Sequence, residues 1–180
     1  MSHAIVNGPL GSNRCIISVN VGTILAALIA ALSALLLTAA SAGELPNTRL
    51  TPGAVRPLTH KTICSTIWSR DRRFVTAKMK LQVYRSYGMI GPKDKQCVPD
   101  AHGRRCEIDH LIPRSLGGAD KIANLWPQPF GTKPWNAARK DRLEVRLSKD
   151  VCSGKIKLVT ARSWLVRDYR VSYVRLIGKP

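Results

Sequence analysis

Apolar and polar positions are distributed very unevenly along the chain. From Cys15 to Gly43 there is no charged residue, and the densest apolar stretch, "ILAALIAALSALLL" at 24–37, spans only 14 positions. A spanning helix needs about 20. Arg14 lies before the run, and Ala40 and Ala42 after it form an A-x-A pattern, so residues 1–42 are expected to be a cleaved secretory signal peptide. The rival is a membrane anchor lengthened by the weakly apolar flanks. Arg49 and Arg56 beyond the run outnumber Arg14 before it, and the positive-inside bias gives that rival no support.

Beyond this segment the pattern changes to short elements. Residues 43–60, with three Pro and no periodicity, are expected to form an extended leader arm. "TICSTIWSRDRRF" is turn-rich. Thr76 has the character of an N-cap for a helix over 77–87, with Met79, Val83 and Tyr87 on one face and Gly88 ending it. A Gly/Pro-rich loop follows. "RCEIDHL" then predicts a short strand, "IPRSLGGADKI" a long turn and "ANLWP" a second strand. "PWNAARKDRLEVRLSKDVC" predicts a helix with Pro134 at its first position, where a missing N–H costs nothing. Asn136, Lys140, Leu143, Leu147 and Val151 recur at steps of three or four and share one stripe of that helix. The expected fold class is α+β: a small domain over 61–180 whose strand–strand–helix core, about 104–152, is flanked by helices. Trp126, Trp135 and Trp164 are assigned to its core.

Charge narrows the list of partners. Lys and Arg total 29 against 11 Asp and Glu, a formal charge of +18, and removing residues 1–42 takes away only Arg14. The folded part is therefore basic, which favours polyanions, nucleic acid first among them. The same removal leaves Cys64, Cys97, Cys106 and Cys152, an even set in a chain inferred to be exported to an oxidising compartment. The absence of a C-x-x-C pair argues against structural zinc. Of the three possible pairings, Cys97 with Cys106 and Cys64 with Cys152 is the expected one.

The candidate chemistry lies in "EIDHLIPRSLGG", Glu107 to Gly118. Neighbours in a regular strand point to opposite faces, so Asp109 and His110 serve one site only if the strand ends or bulges between them. Pro113 and the Gly117–Gly118 pair predict such an end. Asp109 offers a hard carboxylate oxygen to a divalent cation, and a neutral His110 can take a proton from water. Asn136, on the helix facing the hairpin, would add a neutral oxygen. His60 and His102 sit in loops without partners and are left outside the site, and Glu107 shares the strand face of Asp109.

"DHLIPRSLGG", Asn124 in "ANLWPQP" and Asn136 in "WNAARKDRLE" together resemble the ββα-metal motif of the HNH endonuclease family. His110 corresponds to the first family His, Asn124 follows 14 residues later at the central Asn, and Asn136 lies 12 further on at a last position that is often His. More loosely, the likeness extends over 62–166 to small exported bacterial HNH proteins. It departs from them at Arg114–Ser115, where those proteins are often acidic and apolar. The resemblance implies that Asp109 and Asn136 hold one Mg²⁺ or Mn²⁺, that His110 is a general base oriented by a backbone carbonyl, and that Asn124 positions it. It also implies phosphate contacts from Arg139, Lys140, Arg142 and Arg114. The expected activity is metal-dependent, largely unspecific hydrolysis of DNA in the periplasm or outside the cell. The alternative is a basic nucleic-acid binding protein with the same fold and no activity, and both forms predict salt-sensitive binding.

Overall fold

The computed structural model describes residues 43–180, and the expected signal peptide lies outside them. Among the described residues no helix is long and apolar enough to cross a membrane. Four helices and one two-stranded sheet follow in the order α1 (His60–Ser65), α2 (Ala77–Ser86), β1 (Cys106–His110), β2 (Leu125–Pro129), α3 (Ala137–Cys152) and α4 (Leu158–Leu176). The fold is mixed α+β, with two antiparallel strands leading directly into α3.

Helix α2 starts where the sequence places it, because the Thr76 hydroxyl accepts the Met79 N–H at 3.2 Å. Gly88, at φ 70°, takes the left-handed turn after its end. Replacing Thr76 with Ala is expected to lower stability by about 1 kcal/mol, read as a drop in the urea midpoint with an unchanged slope. Val83, Tyr84 and Tyr87 enter the core with Ile108, Leu125 and Trp126 of the hairpin and Leu143, Leu147 and Val151 of α3.

Segment 43–59 is extended apart from a turn at Asn47–Thr51, and it is built into the domain. The Gly53 N–H donates to Ala123 O and the Arg56 N–H to Gly117 O, each at 2.8 Å. Buried Thr51 links the Tyr87 hydroxyl and the Leu125 carbonyl, both at 2.8 Å. The arm thus clamps the long turn between the strands. Gly118 in that turn has no room for a side chain, since a Cβ there would collide with the Ile112 carbonyl.

Helix α3 begins later than the sequence suggests. Asn136 is its N-cap, accepting the Arg139 N–H at 3.2 Å, so Pro134 stands outside the helix rather than at its first turn. Beyond 152 the sequence predicts only that helices flank the core and that Trp164 belongs to it. The residues there form α4, which lays Ala161, Leu165, Tyr169 and Tyr173 against α3. Disulfides join Cys64 to Cys152 and Cys97 to Cys106, tying α1 to the end of α3 and the Gly/Pro-rich loop to the start of β1.

Candidate active site

Strand β1 is regular through its last residue, with Asp109 opposite Trp126 and His110 opposite Leu125. The expected break between Asp109 and His110 does not occur, because Leu111 N–H still donates to Asn124 O at 2.8 Å beyond them. The two side chains therefore leave opposite faces of the strand. What they share is its outer edge, where the Lys140 ammonium donates to Asp109 Oδ2 at 2.7 Å and to the His110 carbonyl at 2.6 Å. That edge is capped along its length: Cys106 O accepts from the Tyr84 hydroxyl at 3.3 Å and Ile108 O from Arg73 Nη2 at 2.8 Å. The carbonyls of Cys106 and Ile108 point away from β2, so their partners Pro129 and Pro127 forgo no ladder bond.

On one face, His110 is 4 % exposed and its Nε2 lies 2.7 Å from Asp120 Oδ1. The sequence reading expects a backbone carbonyl in this place, but the structure supplies a carboxylate. Asp120 also accepts the Phe74 N–H at 2.6 Å, and its pKa is held below the usual range by that bond and by His110, against the effect of burial. Burial pushes the His110 pKa down, against the upward pull of Asp120 and Asp109. An ionised carboxylate can only accept, so a neutral His110 carries its proton on Nε2 and keeps a lone pair on Nδ1. Nδ1 makes no hydrogen bond among the described residues.

On the other face, Lys140 is completely buried beneath Asp109 and Glu144, whose side chains retain 20 % and 17 % exposure. The ammonium gives one bond to each carboxylate and a third to the His110 carbonyl. Asp109, Asp141 and Glu144 each offer a carboxylate oxygen, all within 4.8 Å of one another. The trio could hold a metal ion. Lys140 already stands in as a cation from below, which leaves the more exposed sides of these carboxylates for a second one. Hard, negatively charged oxygens suit Mg²⁺, Mn²⁺ or Ca²⁺.

Excess negative charge is visible in the titrations. Burial, then Asp109 and Asp141, push Glu107 up to about 7. Glu144 and Asp141 also rise through burial and the Asp109 charge, while Lys140 keeps Asp109 low. A carboxyl raised in the folded state favours folding fully below its unfolded value, and that contribution is lost as pH rises through the folded value. Stability of the wild type relative to Glu107→Gln should thus fall between about pH 5 and 8 in urea melts. Across the strand pair from Glu107, Gln128 is fully buried with neither amide atom partnered among the described residues.

Several assigned roles change. The amide oxygen of Asn136 accepts the cap bond of α3, and Asp109, Asp141 and Glu144 form a carboxylate set that could bind a metal. Lys140 cannot grip phosphate because all three of its protons are used inside the protein. Arg114 pairs with Asp71 and lies 4.0 Å from Asp120, so it supports the carboxylate that orients His110. Arg139 is turned to the Tyr173 hydroxyl at 3.2 Å. Arg142 is exposed and makes no side-chain bond among the described residues, which leaves it open to phosphate. Asn124 is fully buried and braces the long turn, accepting the Ile112 N–H at 3.0 Å and donating to Ile112 O and Ala119 O at 2.9 and 3.1 Å.

Asp120, Asp141 and Glu144 went unassigned in the sequence. Glu144 had a signal, since it stands four residues after Lys140 on one helix face. Asp120 had only its place after the glycine pair. No family model, curated protein or solved structure matches this chain.

Proposed function

We propose that the chain is a divalent-cation-dependent endonuclease that hydrolyses phosphodiester bonds of nucleic acid, chiefly DNA, outside the cytoplasm. One observation carries the reading: the end of β1 carries on its two faces a neutral His, its proton fixed on one nitrogen by Asp120, and a carboxylate trio fit for a hard cation, so that a phosphodiester laid across that end meets both. A formal charge of +18 and two disulfides support nucleic acid as the substrate and export as the setting.

In this reading Asp109, Asp141 and Glu144 would hold Mg²⁺ or Mn²⁺. Such a cation supplies charge stabilisation to the phosphate oxygens and the leaving oxygen. His110 Nδ1 takes a proton from the attacking water, and Asp120 steadies the imidazolium that results. Asn124 keeps Asp120 in place through the neighbouring Ala119 carbonyl. Lys140 holds Asp109 and Glu144 from below, and Arg142 takes a flanking phosphate. In-line attack leaves 5′-phosphate and 3′-hydroxyl ends.

A labelled DNA duplex incubated with the oxidised full chain tests this. Cleavage is expected with Mg²⁺ or Mn²⁺, none with EDTA, and loss of turnover in Asp109→Asn. Cleavage that persists unchanged in EDTA overturns the metal role. One observation favours a second reading, a binding protein without activity: Lys140 already neutralises part of the acidic group. That protein would retard DNA in a salt-sensitive way and never cut it.

A further inference from the structure

A cavity of about 450 Å³ opens between α2, the 90–92 loop and the outer edge of β1, within the range of about 300–1,000 Å³ typical of small-ligand pockets. Its walls include Ala77, Leu81, Tyr84, Ile90 and Pro92. Leu81 is 41 % and Ile90 86 % exposed, so two large apolar side chains stand uncovered at its mouth. Arg73 and Lys80 also line it, and Glu107 reaches it from β1. The Glu107 carboxylate makes no hydrogen bond among the described residues.

The occupant can be deduced from this chemistry. An added peptide strand is excluded, because the β1 carbonyls at Cys106, Ile108 and His110 already accept from Tyr84, Arg73 and Lys140. A largely apolar cavity with two cations for phosphate and one unpartnered carboxylate matches a nucleotide. A carboxylate accepts only, and guanine alone among the common bases presents a ring N–H beside an amino group, two parallel donors to one carboxylate. Its β1 wall, Cys106 to Ile108, adjoins Asp109 along the strand.

We propose that this cavity is a base subsite which takes an unpaired guanine of the nucleic-acid substrate, its phosphate held by Arg73 or Lys80 and its N1–H and amino group by Glu107. The proposal rests on the nuclease reading for the nature of the substrate. It adds a preference for guanine next to the cut, and for strands whose bases are free to leave the stack.

The test separates binding from cutting. Fluorescence anisotropy at about pH 8.5, where a carboxyl raised by burial is ionised, and with EDTA present, measures affinity of the oxidised full chain for short single strands of thymidine carrying one central guanine, adenine or cytosine, or none. The guanine strand should bind about tenfold more tightly than the others. Glu107→Gln, and separately Ala77→Trp, which fills the slot from the exposed start of α2, should remove that difference and leave affinity for plain thymidine strands unchanged. Lys80→Ala should weaken all strands alike. Equal affinity for all four strands, or a guanine preference that survives both Glu107→Gln and Ala77→Trp, overturns the subsite. Melting curves verify that each variant folds. Failure here leaves duplex cleavage with Mg²⁺ intact, whereas failure of the nuclease reading leaves guanine binding without cleavage.

Discussion

Replacing Lys140 with Met is expected to lower the free energy of unfolding by about 3–5 kcal/mol, because removing one partner of a buried ion pair leaves the other uncompensated. Here two carboxylates and a strand carbonyl lose their donor together, since the ammonium is fully buried with Asp109 Oδ2 at 2.7 Å and His110 O at 2.6 Å. Methionine keeps the length and apolar stem of lysine, so the loss reflects charge rather than a cavity. Urea melts with and without Mg²⁺ read the result. If the trio also binds a divalent cation, Mg²⁺ should raise the midpoint of Lys140→Met more than that of the wild type, because a cation bound only by the folded state adds to its stability. A variant as stable as the wild type would mean that Lys140 is not the internal counter-ion of this cluster.

Replacing His110 with Ala is expected to slow cleavage by about 10²–10⁴-fold, the usual contribution of a positioned general base. Affinity for DNA should stay unchanged, since His110 is only 4 % exposed and carries no charge for phosphate to meet near neutral pH. Asp120→Asn should slow cleavage less, because an amide still fills the place beside Nε2. An amide can also donate, however, and so admits the tautomer in which Nδ1 bears the proton and cannot act as a base. Single-turnover rates on a labelled duplex at saturating Mg²⁺ separate the three proteins. An undiminished rate in His110→Ala would remove it from the chemistry.

The hairpin and its helix were legible because short strands bounded by Pro and Gly, and a 3.6-residue stripe, are local signals. Both cysteine pairs agreed with the expectation drawn from the chain. The site was legible only in part. Asp109 and His110 declare themselves as residue types, but which groups surround them depends on contacts across the fold: Asp120 comes from the far end of a turn, and Phe74 and Asp71 from a segment 36 to 39 residues before His110. Lys140 shows the limit most sharply. As one of 29 basic residues it reads as a surface cation; its place on the stripe of Leu143 and Leu147 turns it inward, but nothing local reveals the two carboxylates above it. Asn136 shows the opposite case: a local force, the need of a helix for an N-cap, engages its side chain. Helix α4 had a readable stripe in Ala161, Leu165, Tyr169 and Tyr173, with Asp168 kinking the middle of the helix at φ −167° and ψ 103°.

The most direct measurement is a supercoiled-plasmid assay on the oxidised chain, run with Mg²⁺ and with EDTA and read both for nicking and for retardation. The account predicts nicked and linear product with Mg²⁺, none with EDTA, and product ends that a ligase can reseal. Plasmid that is retarded yet stays supercoiled with every divalent cation would contradict it and leave a nucleic-acid binding protein in its place.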